Sequence, residues 1–359
     1  MILRINDRIR NKKIDFFNDI DITLKYDAVA SVFNFHFHFD PTKQEHIDLA
    51  CIGHYHLCTI EHLGQTVMTG IIMAQHFHDE KTPEMLTLSG YSLGGVLEDC
   101  EIPPEAYPLQ TDMLSLKEIT DRIIKPFGLK YVIDSSVTSK MNEKYDEASA
   151  TPGQSVKSFL SELASQKNII LSHDTQGRLK FTRPSPTQKP IASFERGKGL
   201  YTSMQSTFDG QAMHSRIFVV NQADMDDINT AESYADNPFV IKPVFRQKVM
   251  VINSGNKLDA INMSGPGSAA RNALSQELRN YTLTIHTDRW DVKGRLFMPG
   301  DVVTVLNPYV YNFTKTRWMI EEIHLKGNEK AQTASLKCVM PAVFDGSTPV
   351  YPFKGINLH

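Results

Sequence analysis

The chain of 359 residues is longer than one hydrophobic core usually supports, so we expect two to four domains. Its 38 basic and 41 acidic residues leave a net charge of −3, which excludes a strong overall field for attracting nucleic acid or an anionic bilayer. No run of eighteen apolar residues is present, and charges occupy the N-terminal positions where a signal peptide needs its apolar core. We therefore expect synthesis and folding in a cytoplasm, with no stable membrane insertion and with Cys51, Cys58, Cys100 and Cys338 as free thiols.

The first ninety residues have the pattern of β-strands. From Phe33 to Phe39 every second residue is a phenylalanine, and His36 and His38 occupy alternate positions. This period of two predicts a half-buried strand with the phenylalanines on one face and the histidines on the other. Further strands are predicted at residues 2–9, 20–26, 57–61 and 67–73, the last two joined as a hairpin at Gly64. We predict a small antiparallel barrel or sandwich over residues 1–90.

Residues 91–184 mix helical and strand patterns. A short helix to about Asp99 has Ser92 or a neighbour as its cap, and apolar residues at helical spacing predict helices over 116–127 and 152–166. Thr151 with Pro152 suits the start of the second of these helices. A strand at 131–134 and a hairpin over 168–181, turning at Asp174 to Gly177, complete a small α+β domain.

Residues 185–345 return to strands and are predicted to form a second barrel. Strands are predicted at 200–208, 215–221, 244–252 and 333–340, with a helix inserted at 267–280, a surface loop in the acidic stretch 223–236 and a tail at 346–359. Within residues 281–325, Pro299 and Gly300 predict a tight turn between strands. The apolar positions change face between Ile320 and Ile323, which indicates a bulge or a strand end. The fold class is therefore mainly β with α+β: two small antiparallel barrel-like domains flank a mixed domain.

Eight of the 13 histidines lie in the first 80 residues, and six of them form H-x-H pairs. On a strand such a pair points to one face, where it can ligate a metal if a third ligand converges. Candidate metal ligands are His36, His38, His54 and His56. The alternative, which the spacing favours, is that these histidines are polar positions on a solvent-exposed or interface face. A histidine-rich interface would make assembly sensitive to pH.

Motifs for enzymatic chemistry are not found. Gly94 and Gly95 lack the lysine and the spacing of a phosphate-binding loop, and the sequence around Ser92 lacks the second glycine of a nucleophile elbow. The acidic runs have no identifiable catalytic partner. We predict a non-enzyme without cofactors and with no specific nucleic-acid recognition.

The pattern W…G-x-L-F-x-P-G-D-x-V-x-V…W-x-I…P resembles the baseplate hub proteins of Mu-like contractile phage tails, which are related to the late control protein D group. The match is carried by Trp290, Gly294, Leu296, Pro299, Gly300, Asp301, Val303, Val305, Ile320 and Pro341. The order of three earlier segments agrees with it: the hairpin at 62–70, L-S-G-Y-S-L-G-G-V-L-E-D-C at 88–100, and the hairpin at 173–181.

The resemblance implies a structural protein of the virion tail baseplate, made and assembled in the bacterial host cytoplasm. It implies a homotrimer whose two barrels per chain form a ring of near sixfold symmetry, joining the tail tube and other baseplate proteins to the central spike around a channel for passing DNA. Two alternatives remain open: a tail-associated hydrolase or metal-binding enzyme, and a module that binds host glycans.

Overall fold

The chain divides into two compact units that are interleaved in sequence. The computed structural model describes residues 1–6, 11–14, 17–79, 85–107, 113–145, 149–222, 232–240, 246–253, 266–328 and 330–345. Unit 1 comprises Met1–Arg183, His286–Gly300 and Glu321–Leu336, and unit 2 comprises Pro184–Ile285, Asp301–Ile320 and Lys337–His359. Among the described residues, no helix is long and apolar enough to span a membrane.

Unit 1 begins with seven strands of one larger sheet and one short helix. They are β1 (Ile2–Asn6), β2 (Asn11–Ile14), β3 (Asp19–Lys25), β4 (Val32–His38), α1 (Gln44–Leu49), β5 (Leu57–His62), β6 (Gln65–His78) and β7 (Met85–Ser92). The strand order is β3-β4-β7-β6-β5-β1-β2, and every neighbouring pair is antiparallel. The predicted hairpin joins β5 to β6 through Gly64, whose φ is +75°.

The β4 strand confirms the alternation seen in the sequence. Phe33, Phe35 and Phe37 are at most 1% exposed, because one face of the strand packs into the core. Phe39 lies just beyond the strand and is only partly buried. The phenylalanine stripe therefore anchors this sheet, and its alternate positions are left for polar side chains.

The α+β part of unit 1 has its own core. Its elements are α2 (Val96–Asp99), α3 (Leu116–Ile124), β8 (Tyr131–Ile133), α4 (Thr138–Asn142), α5 (Val156–Gln166), β9 (Ile170–His173) and β10 (Leu179–Thr182). The strands are ordered β8-β10-β9, and the apolar faces of α3 and α5 pack in one cluster with Leu179 and Phe181. The helix and hairpin predictions for this region are confirmed, whereas α4 has no signal in the sequence analysis.

The start of α5 differs from the sequence prediction. Ser155, not Thr151 with Pro152, is the N-cap, and its hydroxyl accepts a hydrogen bond of 3.2 Å from the Ser158 amide. A serine side chain that caps the first turn satisfies an amide with no partner in the helix, so the helix begins three residues after Pro152. At α3, Ser115 and Glu118 form a reciprocal capping box that the sequence analysis did not identify.

The segment around Trp290 packs into unit 1 rather than into the second predicted barrel. The ring centroids of Trp290 and His62 lie 4.8 Å apart, and the indole N–H donates to the carbonyl of Thr333 at 2.8 Å. Gln65 also donates to the carbonyl of Gly294 at 2.7 Å. These contacts explain why residues 286–300 belong to unit 1, although the sequence analysis assigned them to the domain at 185–345.

Unit 2 and the strands around it contain the remaining elements. They are β11 (Ala192–Glu195), β12 (Ser203–Phe208), β13 (Arg216–Gln222), β14 (Glu232–Asp236), β15 (Gln247–Asn253), α6 (Pro266–Glu277), β16 (Tyr281–Thr287), β17 (Asp291–Val292), β18 (Arg295–Leu296), β19 (Val302–Asn307), β20 (Asn312–Asn328), β21 (Gln332–Val339) and α7 (Ala342–Asp345). The short pair β17 and β18 lies in unit 1, and β16, β20 and β21 contribute residues to both units.

Three expectations for this region need correction. Glu232–Asp236 forms a strand, although it falls within the predicted acidic loop, because its alternation buries Ala235 and exposes Tyr234. The remainder of that loop, 223–231, lies outside the described residues. The sheets are not purely antiparallel, since β11 pairs with β19 and β13 with β15 in parallel. Within the described ranges no sheet closes into a barrel, so the architecture is mainly β with several open sheets and an α+β part.

The face change predicted between Ile320 and Ile323 coincides with a change of partner strand. Trp318, Met319 and Ile320 are fully buried in succession, which a half-exposed strand would not allow. Strand β20 continues through them, pairing with β19 up to Met319 and with β3 from Glu322 onward. The pattern therefore marks a strand buried on both faces, not a strand end.

Candidate functional surfaces

The histidines of β4 lie on the face of the unit 1 sheet opposite the phenylalanine stripe. His36 is partly exposed and its Nδ1 lies 2.8 Å from the Thr87 hydroxyl of β7, whereas His38 is exposed. Residues directly opposite each other in an antiparallel pair share a face. His36 is aligned with Thr87, and Thr87 in turn with His76 of β6, so this face carries histidines from two H-x-H pairs.

The neighbouring row repeats the arrangement. His38 is opposite Met85, and Met85 is opposite His78. The four imidazoles His36, His38, His76 and His78 therefore stand on β4 and β6 with β7 between them. We call this array the histidine face. The sequence pattern predicts a strand for His36 and His38, but the predicted strand at 67–73 ends before His76 and His78, and strand register is needed to align the two pairs.

A pocket of about 650 Å³ opens at one side of the histidine face. It is lined by His36, His78, Asp19, Asp21, Lys326 and Met85, among others. Asp21 binds His324 at 3.2 Å and Lys326 at 3.4 Å, so its carboxylate is held by two basic groups of β20. The pocket lining combines these charged and polar side chains with the apolar side chains of Ile20 and Ala331.

The second candidate pair, His54 and His56, does not lie on a strand. It precedes β5 in the loop after α1, where the two rings contact each other edge to face at 5.4 Å. His56 is buried and its Nε2 lies 3.1 Å from the carbonyl of Asp48, so it fixes the loop to α1. In the described part of the chain, no three His, Cys, Asp or Glu side chains are placed so that they could hold a metal ion.

A buried polar junction joins the first sheet to the α+β part within unit 1. The imidazole of His173 lies between the carbonyl of Ala28, at 2.7 Å from Nδ1, and the hydroxyl of Ser31, at 2.8 Å from Nε2. A carbonyl oxygen only accepts, so Nδ1 carries the proton and a neutral ring accepts the Ser31 hydroxyl at Nε2. Burial lowers the pKa of His173, which keeps the ring neutral.

The Ser31 side chain is satisfied on both sides of this junction. Its oxygen accepts the Lys25 amide at 3.1 Å, and its own amide donates to the Ser92 hydroxyl at 2.9 Å. The Ser92 hydroxyl is thus used by Ser31 and makes no cap bond to the short helix that follows, contrary to the role predicted for it. A serine and a histidine at hydrogen-bonding distance resemble a catalytic pair, but Ser31 is only 1% exposed and here serves packing.

The glycine pair after Ser92 has a packing explanation. A Cβ on Gly94 would lie 2.1 Å from the carbonyl oxygen of Val29, and one on Gly95 would lie 2.4 Å from the ring of Tyr91. Both positions need glycine because the backbone approaches its neighbours too closely for a side chain. The pair therefore packs α2 against the first sheet, in agreement with the prediction that it is not a phosphate-binding loop.

The α+β part matches a known protein family. Residues 94–183 match the family described as baseplate hub protein gp44-like, second domain. The match begins at the glycine pair and ends where unit 1 gives way to unit 2 along the chain. No curated protein sequence matches the chain.

The fold of nearly the whole chain recurs in solved structures. A 43 kDa tail protein of prophage MuSo2 from Shewanella oneidensis has a TM-score of 0.79 at 18% identity, covering 96% of this chain and 99% of its own. A tail protein from Neisseria meningitidis MC58 has a TM-score of 0.77 at 19% identity, with 97% and 98% covered. A type VI secretion system component from E. coli has a TM-score of 0.59 at 9% identity, with 94% and 76% covered.

These likenesses show the fold and identify the class of protein that shares it. The matched descriptions name tail, baseplate and secretion-system components, not enzymes. The second-domain match and the whole-chain fold agree with each other and with the baseplate hub resemblance of the sequence.

Proposed function

We propose that this chain is the structural hub protein of a Mu-like phage tail baseplate, acting as a homotrimer that adapts the symmetry of the tail tube to that of the central spike. The observation that carries the proposal is the fold shared over 96% of this chain with a prophage tail protein of almost equal extent. The family match of residues 94–183 supports it independently, because that family is defined on baseplate hub proteins.

The physical character of the chain supports the same function. A symmetry adaptor needs extended surfaces for partners above and below it, and contacts between copies that close into a ring. The described residues offer wide sheet faces, and the net charge of −3 gives the chain no strong positive field that would retain passing DNA. The partners in this proposal are the spike, the tail tube and other baseplate proteins, with assembly in the host cytoplasm.

The mass of the purified chain in solution tests the proposal. We expect light scattering after size exclusion to give three times the 40.6 kDa chain mass, independent of concentration, and electron microscopy to show a ring with a central opening. Coexpression with the spike protein of a Mu-like tail should yield a stable complex that leaves double-stranded DNA unbound at physiological salt. A monomer at every concentration would contradict the proposal.

A further inference from the structure

The turn between β19 and β20 presents aromatic side chains to solvent. Tyr309 is 77% exposed, Tyr311 is 44% exposed and Phe313 is 42% exposed, and the rings of Tyr311 and Phe313 lie 5.1 Å apart. We call residues 308–313 the aromatic tip. Large apolar rings exposed together at one turn are typical of an interaction surface.

The aromatic tip is held rigidly from inside unit 2. The Asn307 carboxamide accepts the Tyr309 amide at 3.1 Å. Asn312 donates to the carbonyl of Val310 at 3.0 Å and accepts the buried Trp318 indole N–H at 2.9 Å. Both asparagines are at most 5% exposed. Two buried carboxamides therefore fix a turn whose aromatic rings are exposed. Rigid presentation lowers the entropy lost when a partner binds.

Backbone strain at the tip supports a role outside the fold. Tyr311 has φ of +61°, a left-handed conformation that a bulky residue rarely adopts and that glycine would adopt without cost. Strain of this kind persists where the surrounding structure holds it in place, and it is enriched at binding sites. At Tyr311 it accompanies the exposed rings of Tyr309 and Phe313, which supports a role in binding.

The charges around the tip indicate a protein partner. The Arg196 guanidinium stacks at 3.4 Å on the Tyr309 ring. Lys198 and Lys315 both bind Glu195, the residue before Arg196. The hydrogen bond from Lys198 lowers the pKa of Glu195 to about 2, so this carboxylate stays ionised and the surround keeps an excess of positive charge. Tyrosine and arginine are enriched at protein interfaces, and the rim of an interface is polar.

A complementary surface exists on unit 1 in α1, the start of β5 and the loop between them. It exposes apolar side chains: Ile47 at 42%, Ile52 at 76%, Tyr55 at 54% and Leu57 at 47%. Tyr55, like Tyr311, holds a left-handed backbone, with φ of +46°. We call these four residues the acceptor patch.

The rim of the acceptor patch has the opposite charge to the aromatic tip. Glu45 and Asp48 of α1 lie beside Ile47 in the sequence, and the His56 contact with the carbonyl of Asp48 ties the loop to that helix. The apolar patch and its acidic rim therefore occupy neighbouring elements of unit 1. Opposite charges around matching apolar surfaces fix the register of a contact and speed its formation.

We propose that the aromatic tip of one copy binds the acceptor patch of a second copy, so that the chain assembles head to tail. Two different surfaces on each copy make a heterologous contact, and such contacts close into a ring when the rotation between copies allows it. The inference rests on the proposed homotrimer and names the surfaces that would join its copies. The partner is a second copy because the chain itself carries both halves of the contact.

Two surface variants test the contact. We expect a tip variant, Tyr309→Ser with Phe313→Ser, and an acceptor variant, Ile52→Asp with Tyr55→Asp, each to weaken association at least tenfold and to elute as monomers. Matched controls are Val249→Ser in unit 2 and Leu63→Asp in unit 1, which change exposed apolar residues outside both surfaces and should remain trimeric. Unchanged circular dichroism would show that the variants fold.

Mixing the two variants separates a head-to-tail contact from any other. The tip variant keeps an intact acceptor patch and the acceptor variant keeps an intact tip, so together they have one productive contact. We expect a 1:1 heterodimer of twice the 40.6 kDa chain mass, and no trimer. Absence of the heterodimer from the mixture would overturn the proposal.

A photo-crosslinker at position 309 locates the contact directly. With p-benzoylphenylalanine replacing Tyr309, irradiation should give adducts on peptides containing residues 44–57 of another copy. Adducts only elsewhere, or a wild-type trimer that survives both surface variants, would overturn the tip contact and leave the proposed hub function intact. A monomeric wild type would instead overturn the trimer on which both rest.

Discussion

The indole N–H of Trp318 donates a hydrogen bond of 2.9 Å to the carboxamide oxygen of Asn312, and both side chains are at most 1% exposed. The bond joins the start of β20 to its buried middle, six residues later. The same asparagine donates to the carbonyl of Val310, so one side chain supports both the strand and the turn before it.

We expect Asn312→Ala to lower the free energy of unfolding of unit 2 by about 1 to 3 kcal/mol, because it leaves the buried Trp318 N–H without its acceptor. Urea denaturation followed by tryptophan fluorescence measures this change. The control is Thr314→Ala on the same strand, which is exposed and should change stability by less than about 0.5 kcal/mol. Equal stability of both variants would contradict the prediction.

His173 predicts a pH dependence for unit 1. Its folded-state pKa is lowered by burial, so below the ordinary value of about 6.5 the unfolded chain binds more protons than the folded chain. The stability that the neutral ring contributes is therefore present above about pH 6.5 and is lost as the pH falls from there through the lowered folded-state pKa.

The measurement is the urea midpoint of unit 1 between pH 7.5 and pH 5. We expect His173→Gln, whose amide can still hydrogen-bond but does not titrate, to show a shallower fall in stability over this range than the wild type. His38→Asn, which changes an exposed side chain, serves as control and should leave the steeper fall in place. If His173→Gln left the fall in stability with pH unchanged, His173 would not be the source of that pH dependence.

Gly94→Ala should destabilise unit 1 by about 1 to 3 kcal/mol, because its Cβ would lie 2.1 Å from the backbone oxygen of Val29 and neither backbone can yield without cost. Thermal unfolding measures the effect. Gly210→Ala in unit 2 is the control, since its Cβ would make only an ordinary contact of 3.5 Å with Phe208. A Gly94→Ala variant as stable as the control would refute the packing explanation for the glycine pair.

Glu277 should hold α6 on the sheet of β13, β14 and β15. Its carboxylate accepts the amide of His214 at 2.9 Å and contacts the same imidazole at 2.8 Å, although the side chain is only 8% exposed. We expect Glu277→Ala to increase hydrogen exchange of α6 at least tenfold, because the His214 amide loses its acceptor. Glu277→Gln keeps one acceptor oxygen and should show a smaller increase.

Local patterns in the sequence were sufficient for single elements. The alternation from Phe33 to Phe37 predicts β4, and the apolar spacing of Val156, Phe159 and Leu160 predicts the buried face of α5, because each pattern depends only on the period of its own element. The start of α5 was misplaced since Thr151 and Ser155 are both good caps, and the choice between them is made by the surrounding structure.

Contacts between segments that are distant in the sequence could not be predicted from such local patterns. The contact of Trp290 with His62 and the alignment of His36 with His76 through Thr87 depend on strand order and register, which the sequence does not encode locally. The left-handed backbone at Tyr311 is equally hidden, because tyrosine gives no local signal for a positive φ. Of the candidate surfaces, only His36 and His38 of the histidine face were predicted from the sequence as candidate ligands, and the aromatic tip and acceptor patch were not predicted.

The pairing of β3 with β20 has a consequence for how the chain is made. One edge of β3 is covered by β4, but the other is covered by Glu322–Asn328, which the ribosome adds about three hundred residues later. At typical synthesis rates that edge stays open for roughly 15 to 60 s. An open edge recruits other strands, so the nascent chain is most vulnerable to aggregation in this interval. We therefore expect a larger yield of soluble protein when the ribosome completes the chain sooner. A chaperone that covers the open edge of β3 until β20 has been synthesised should have the same effect.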